Sequence, residues 1–280
     1  MKIGIVFEGG AMRGMYTAGV IDVLLEMGIK ADVVIGVSAG ALFGINYKSR
    51  QKGRALRSNL KYVKDKRYMS LYNLVTTGNI DNEDFCFNEI PNILDDFNYA
   101  SFKRSKGEFY AVVTNVNSGE AEYIKIEDCK RDVQALRASG SMPFVSRPVE
   151  YNGQFYLDGG IADSIPIDKI MSMGLDKVIV VLTRPQGYRK KRASVAPARV
   201  MYKKYSKLIE TMKNRYKVYN KSLDEINFLE SEKDIFVVRP SELIKIKKME
   251  KDEDKLKEMY NLGYNDLNSR KSELNDYLNK

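Results

Sequence analysis

The 280-residue sequence contains no histidine. That absence excludes every Ser-His-Asp triad and every Cys-His dyad, and with them any zinc site that needs an imidazole. Cysteine is almost as scarce. Cys86 and Cys129 stand far apart and no C-x-x-C pair occurs, so neither a disulfide framework nor an all-cysteine metal site can be built. Both thiols are expected to pack as small apolar groups, and no metal and no cofactor is expected. No apolar run approaches the roughly 20 residues that a membrane span requires. The first residues, Met1-Lys2-Ile3-Gly4-Ile5-Val6-Phe7, enter a strand directly, without a basic-then-apolar leader. A cytoplasmic protein is expected. There is no internal repeat, no low-complexity linker and no G-x-x-x-x-G-K-[ST] phosphate loop.

What is present suits one large α/β domain, or one domain with an appendage: 44% of residues are hydrophobic. The formal net charge of +9 is unevenly placed. Between Arg184 and Lys221 there are thirteen lysines and arginines against one acid, Glu210, so the rest of the chain is net negative. Basicity is therefore local, as an anionic membrane surface or a nucleic acid would require. The alternative is a solvated helix face.

Strands alternate with helices, which argues for a largely parallel sheet with helices on both faces. Strands are expected at 2–7, 33–37, 108–114, 121–126, 177–183 and 234–239. Asn117-Ser118-Gly119 makes a hairpin of the third and fourth. A short strand ending at Asp158 follows the turn Asn152-Gly153. Helices are expected over 15–27, from Asp81 to Asn88 with Pro91 interrupting, over 131–138, from Pro166, and as one continuous helix over 199–230. The charged stretch 252–278 should be helical, with a break at Gly263. Residues 54–107 read as an insertion and the source of a substrate-site wall or lid.

Three pieces carry the chemistry. The first is Gly36-Val37-Ser38-Ala39-Gly40, a G-x-S-x-G between an apolar strand and a helix-like pattern. Such an elbow exposes the serine hydroxyl at the strand tip, and its flanking glycines let strand and helix pass closely. The following helix turns its N-terminus toward Ser38, which favours negative charge there. Without histidine, a base for Ser38 must be a carboxylate, a lysine or a tyrosine. The second piece is the glycine-rich turn Glu8-Gly9-Gly10-Ala11-Met12-Arg13-Gly14 after the first strand, whose amides can converge on an anion. The third is Asp158-Gly159-Gly160. Asp158 lies far along the chain from Ser38, so only the fold could join them. At an ordinary pKa of ~3.9 a carboxylate is a weak base for a hydroxyl, and burial with a close hydrogen bond would have to compensate. Read locally, Asp158 could equally be a turn-capping aspartate, and Arg13 a surface arginine, a brace for the loop or a phosphate contact.

These motifs, in this order, resemble the patatin-like phospholipases, bacterial cytoplasmic-type members in particular, over roughly residues 2–185. The stretch Ala138-Ser139-Gly140-Ser141-Met142-Pro143 is similar to the segment that precedes the family's aspartate. The resemblance implies a three-layer α/β/α catalytic domain over 1–185 and a Ser-Asp dyad. Ser38 would be the nucleophile, Asp158 the general base, and Gly9, Gly10, Ala11 and Ala39 the oxyanion donors. Arg13, Gly14, Gly36, Gly40, Gly159 and Gly160 would support them. The implied activity is hydrolysis of a phospholipid or other fatty-acyl ester, of the phospholipase A, lysophospholipase or carboxylester lipase type. Residues 186–280 would form a basic, mainly helical C-terminal region with its late strand packed on the catalytic domain. Peripheral contact with anionic membrane through 184–221 is expected, and no nucleic acid.

One departure stands out. The family's turn usually has a third glycine where this chain has Ala11, and alanine tolerates positive φ poorly. Either Ala11 has an ordinary φ or the loop differs. Two other functions compete. A dinucleotide-binding fold needs a glycine at Ala11's place and an acid at the end of strand two, where Ser38 stands instead. A non-catalytic module could dock on membrane or nucleic acid through the basic segment alone.

Overall fold

The runs Val33-Val34-Ile35-Gly36-Val37 and Val178-Ile179-Val180-Val181 are buried on both faces, as strands covered by helices on both sides must be. The computed structural model describes all residues, 1–280. Its sheet has eight strands: β1 (Ile3–Phe7), β2 (Val33–Val37), β3 (Glu108–Asn115), β4 (Ala121–Lys125), β5 (Val149–Tyr151), β6 (Gln154–Asp158), β7 (Lys177–Val181) and β8 (Ile235–Val238). The order is β5-β6-β3-β2-β1-β7-β8, with β4 also on β3. Strands β3, β2, β1, β7 and β8 are mutually parallel, and β4, β5 and β6 pair antiparallel.

Eleven α-helices surround this sheet: α1 (Gly14–Glu26), α2 (Ala39–Lys48), α3 (Arg54–Tyr62), α4 (Leu71–Thr77), α5 (Tyr99–Arg104), α6 (Val133–Gly140), α7 (Ile167–Met171), α8 (Ala196–Met201), α9 (Ser206–Ser231), α10 (Glu253–Asn268) and α11 (Lys271–Asn279). Side chains alternate across each strand. Ile5 and Phe7 of β1 enter the larger core, under α1, α2 and α10, whereas Val6 enters the smaller core, under α7 and α9. Helices on both faces of a mostly parallel sheet give the three layers. The late strand β8 extends the sheet beside β7, and Phe236 and Leu256 join the same core as Ile5.

Four local expectations are corrected. Gly263 does not break its helix; α10 runs through it and ends near Asn268. A Cβ on Gly263 would collide with the Tyr16 carbonyl oxygen, and one on Gly19 with that of Tyr260. Both glycines therefore mark a close α1–α10 crossing, a packing use that no local pattern distinguishes from a helix stop. The helix expected over 199–230 is two, because Tyr202 leaves the helical path to bury its ring beside Phe144 and accept the Phe144 N–H at 3.1 Å. Asn82, not Asp81, caps the insertion's helix, accepting the Phe85 N–H at 2.9 Å. Pro91 sits inside a π-helical stretch, Phe85–Leu94, instead of interrupting it. The wider i→i+5 winding of such a stretch is an irregularity in which a residue without an N–H can be housed.

Candidate active site

The sheet register brings Ser38 and Asp158 together. Val112 of β3 pairs with Val37 of β2 on one edge and with Tyr123 of β4 on the other. Val113, the next residue, pairs with Glu122 of β4 and with Asp158 of β6. Strand β4 occupies one edge throughout, so β2 and β6 follow each other along the same opposite edge. The end of β2 thus meets the end of β6. Ser38 Oγ donates to Asp158 Oδ2 at 2.6 Å, and both residues are buried.

Ser38 sits at φ 54°, ψ −123°, a strained conformation for a residue with a side chain. The flanking glycines allow it: a Cβ on Gly40 would collide with the Phe7 carbonyl oxygen, and one on Gly36 would stand 2.6 Å from Ala41 Cα. The Ser38 N–H donates to Ser139 Oγ at 2.9 Å, which ties the elbow to the end of α6. Asp158 is tied on every side. Its Oδ1 accepts the Gly160 N–H at 2.7 Å, its own N–H donates to the Ser141 carbonyl at 2.8 Å, and its carbonyl accepts from Thr114 Oγ1 at 2.9 Å. Burial pushes the Asp158 carboxyl above the ordinary range, against the Ser38 hydroxyl, the Arg215 charge, the Gly160 N–H and Lys248. A raised carboxylate pKa makes a better proton acceptor at neutral pH. Asp163, the next acid along the chain, is engaged elsewhere, accepting the Tyr123 hydroxyl at 2.7 Å.

The expected oxyanion donors divide into two pairs. Ala11 and Ala39 line a cavity of about 100 Å³ with Ser38. Gly9 packs against Ser38 and Gly10 against Thr183, and neither N–H has an acceptor within the protein. Ala11 adopts φ 49°, the positive region in spite of its side chain. Gly14 packs on Ala39 and Phe43, and Gly159 against Val112 of β3. Arg13 is no surface arginine: its Nε is sealed from solvent and has no hydrogen-bond partner. The Ser38 cavity adjoins an apolar one of about 220 Å³, with which it shares Leu42, Phe43, Tyr68, Met69 and Met142. The insertion supplies much of its wall, including Ile80, Phe87 and Ile90.

Sequence reasoning missed several participants. Buried Glu8 accepts the Thr183 N–H at 2.5 Å and the Tyr219 hydroxyl at 2.6 Å, which fastens the glycine-rich turn to β7 and α9. Burial and the Glu8 charge push the Tyr219 phenol far up, so it stays a donor. Arg215 lies four residues before Tyr219 on the same face of α9, a spacing that was legible. Lys248, in an irregular stretch before α10, lines the Ser38 cavity, and no pattern around it signalled this.

The family model described as patatin-like phospholipase matches residues 5–171, and a domain of unknown function (DUF6363) matches 205–279. An uncharacterized Escherichia coli protein, YjjU, is 28% identical over 190 residues, covering 66% of this chain and 52% of its own length. Lysophospholipase nte1 of Aspergillus niger is 28% identical over 191 residues, covering 64% of this chain and 12% of its own. The corresponding Coccidioides immitis lysophospholipase is 28% identical over 204 residues, covering 67% and 12%. The chain thus spans about half the length of the bacterial relative and a small part of the fungal ones. VipD from Legionella pneumophila aligns over 96% of this chain and 67% of its own, with a TM-score of 0.44 and 15% identity. As the family match extends over more than half of the residues, the chain belongs to the patatin-like phospholipase family.

Proposed function

We propose that the protein is a serine acyl hydrolase that cleaves a fatty-acyl ester, a phospholipid or lysophospholipid, with a Ser38–Asp158 dyad. The observation that carries this is the 2.6 Å hydrogen bond between Ser38 Oγ and buried Asp158, beside a cavity that continues into an apolar one. The acyl chain lies in the apolar cavity with its carbonyl at Ser38. Ser38 Oγ attacks that carbon while Asp158 takes the hydroxyl proton, and the tetrahedral oxyanion is met by N–H groups from Gly9, Gly10, Ala11 and Ala39. As the intermediate collapses, Asp158 returns the proton to the departing alcohol. Water, deprotonated by Asp158, then releases the fatty acid from Ser38. The lysophospholipase relatives support a lipid ester as substrate.

The test is hydrolysis of a panel of acyl esters by wild type and Ser38→Ala, together with labelling by a fluorophosphonate. Wild type should hydrolyse and label, and the variant should do neither, with a loss of many orders of magnitude. Undiminished turnover by purified, folded Ser38→Ala would refute the assignment.

Peripheral attachment to an anionic bilayer belongs to the same reading. No helix is long and apolar enough to cross a membrane. Leu71, Tyr72 and Val75 on α4 and Val200 and Met201 on α8 are exposed. The two helices flank the loop at Phe144, where Ile80 N–H bonds Val145 and Phe144 N–H bonds Tyr202. Exposed Lys203 and Lys204 closely follow Val200 and Met201 in the chain, and exposed Lys191 and Arg192 lie in the connection that precedes α8, a combination that suits an interface. Replacing those four cations with glutamine should weaken co-sedimentation with anionic vesicles at low salt. A wild type indifferent to vesicle charge would refute attachment.

A further inference from the structure

Five cations from five separate segments gather behind Ser38, at the carboxyl ends of β1 and β7. They are Arg13 in the glycine-rich turn, Arg184 after β7, Lys190 in the connection to α8, Arg215 on α9 and Lys248 before α10. They share one electrostatic neighbourhood: Arg13 feels Arg184 and Glu8; Lys190 feels Arg215, Glu8, Arg13 and Lys248; Lys248 feels Arg215, Arg13 and Asp158. None of the five side chains makes a hydrogen bond or an ion pair within 4.0 Å. The Nε groups of Arg13, Arg184 and Arg215 are sealed from water without an acceptor.

The two carboxylates at hand are already engaged. Glu8 serves Thr183 and Tyr219, and Asp158 serves Ser38 and Gly160. Aromatic faces position the cations without neutralising them. Lys190 Nζ stands 4.2 Å from the Tyr219 ring centre, and Arg184 Cζ 4.6 Å from that of Tyr188. The Lys190 backbone is pinned to Asn220 through hydrogen bonds of 2.8 and 3.0 Å. Burial, with Arg215 beside it, pushes the Lys190 ammonium down to about 7. Like charges held together, with buried donors unsatisfied, are the mark of a site built for an anion.

Its placement relative to Ser38 is specific. Lys248 lines the Ser38 cavity, and none of the five lines the apolar cavity. An ester with its acyl chain in the apolar cavity therefore directs its alcohol part to the cations. We propose that Arg13, Arg184, Lys190, Arg215 and Lys248 form a binding site for a phosphomonoester dianion, carried on the alcohol part of the ester substrate. Guanidinium forks match phosphate oxygens. A zwitterionic head group would set its ammonium among like charges, so the site discriminates against it. The link to a substrate rests on the hydrolase reading; the anion site itself does not.

The test has two arms. In the first, inorganic phosphate is titrated calorimetrically into the full chain at low salt. Saturable one-to-one binding is expected, weakened at least tenfold in Arg215→Gln and in the double variant Arg184→Gln/Lys190→Gln. Arg215→Lys should retain most of it, and Lys217→Gln, an equal charge change on an exposed face of α9, should not weaken it. Circular dichroism establishes that each variant is folded. Absence of binding in wild type, or undiminished wild-type affinity in both neutralised variants, overturns the proposal; the wild-type titration alone suffices if a variant does not fold. In the second arm, kcat/KM is compared for esters of one acyl chain whose alcohol part carries a phosphomonoester, a phosphocholine or no charge. A preference of tenfold or more for the phosphomonoester, reduced in the same variants, identifies the head group as the source of the dianion. Phosphate binding without that preference assigns the site to a free phosphate and overturns its place in the substrate. Phosphate binding with no hydrolysis of any ester refutes the hydrolase reading and leaves the anion site standing.

Discussion

Replacing Arg215 with glutamine should move the acidic limb of the pH–activity profile upward. In the proposed mechanism Asp158 must be ionised to accept the Ser38 proton, so kcat/KM should fall as pH drops through its pKa. Arg215 Nη2 lies 3.3 Å, and Asp158 Oδ1 3.0 Å, from the one point where a Cβ on Gly160 would stand. Their charges are therefore close without forming an ion pair. Two unit charges about 5 Å apart at an effective dielectric of about 20 interact by about 3 kcal/mol, or about two pH units. Water at this half-buried arginine and the remaining cations reduce that, and a shift of about one unit is expected. The sign is fixed: a positive neighbour favours the carboxylate, so its loss raises the pKa and the limb moves to higher pH. The assay is kcat/KM against pH on an uncharged short-chain ester, which keeps head-group recognition out of the measurement. An acidic limb that stays in place, or moves down, would refute either Asp158 as the base or the influence of Arg215 on it.

Asp158→Asn should cost orders of magnitude in turnover yet stabilise the fold at pH 7. The folded carboxyl titrates above its ordinary value because of burial, so ionisation destabilises the protein as pH rises through the folded pKa. Removing the charge should gain about 1 kcal/mol in urea melts at pH 7, a gain that disappears below about pH 4; a less stable variant at pH 7 would contradict this. Ala11→Gly relieves a residue held at φ 49° and should change stability by less than about 1 kcal/mol, in the stabilising direction, whereas a β-branched valine there should lower it; the reverse order would mean that Ala11 is not strained. Gly263→Ala inserts a methyl against the Tyr16 carbonyl and should cost about 1–3 kcal/mol, read as a lowered denaturation midpoint, with no loss meaning that α1 and α10 do not cross so closely.

Where one residue's chemistry or one period decided the outcome, the sequence was sufficient. Zero histidines removed the usual bases before any geometry was known. The apolar runs at 33–37 and 178–181 read as buried strands, and they are; G-x-S-x-G between a strand and a helix put Ser38 at the turn from β2 into α2, where it stands. Asn152-Gly153 required a tight turn, and both residues take positive φ, at 49° and 74°. These features depend on contacts within a few residues, which is what a linear pattern encodes.

What the chain could not declare depends on contacts between distant segments. Asp158 became the partner of Ser38 because β2 and β6 share one edge of β3, a matter of register across the sheet. Gly263 was legible as a glycine, but only the crossing with α1 decided between helix stop and packing notch. The thirteen cations of 184–221 were visible as charge. Which of them face solvent and which converge on Arg13 was set by how α9 lies on the sheet, with Tyr219 reaching Glu8. Local sequence limits the conformations each segment can take; the burial of one segment against another selects among them, and that selection is where the site was assembled.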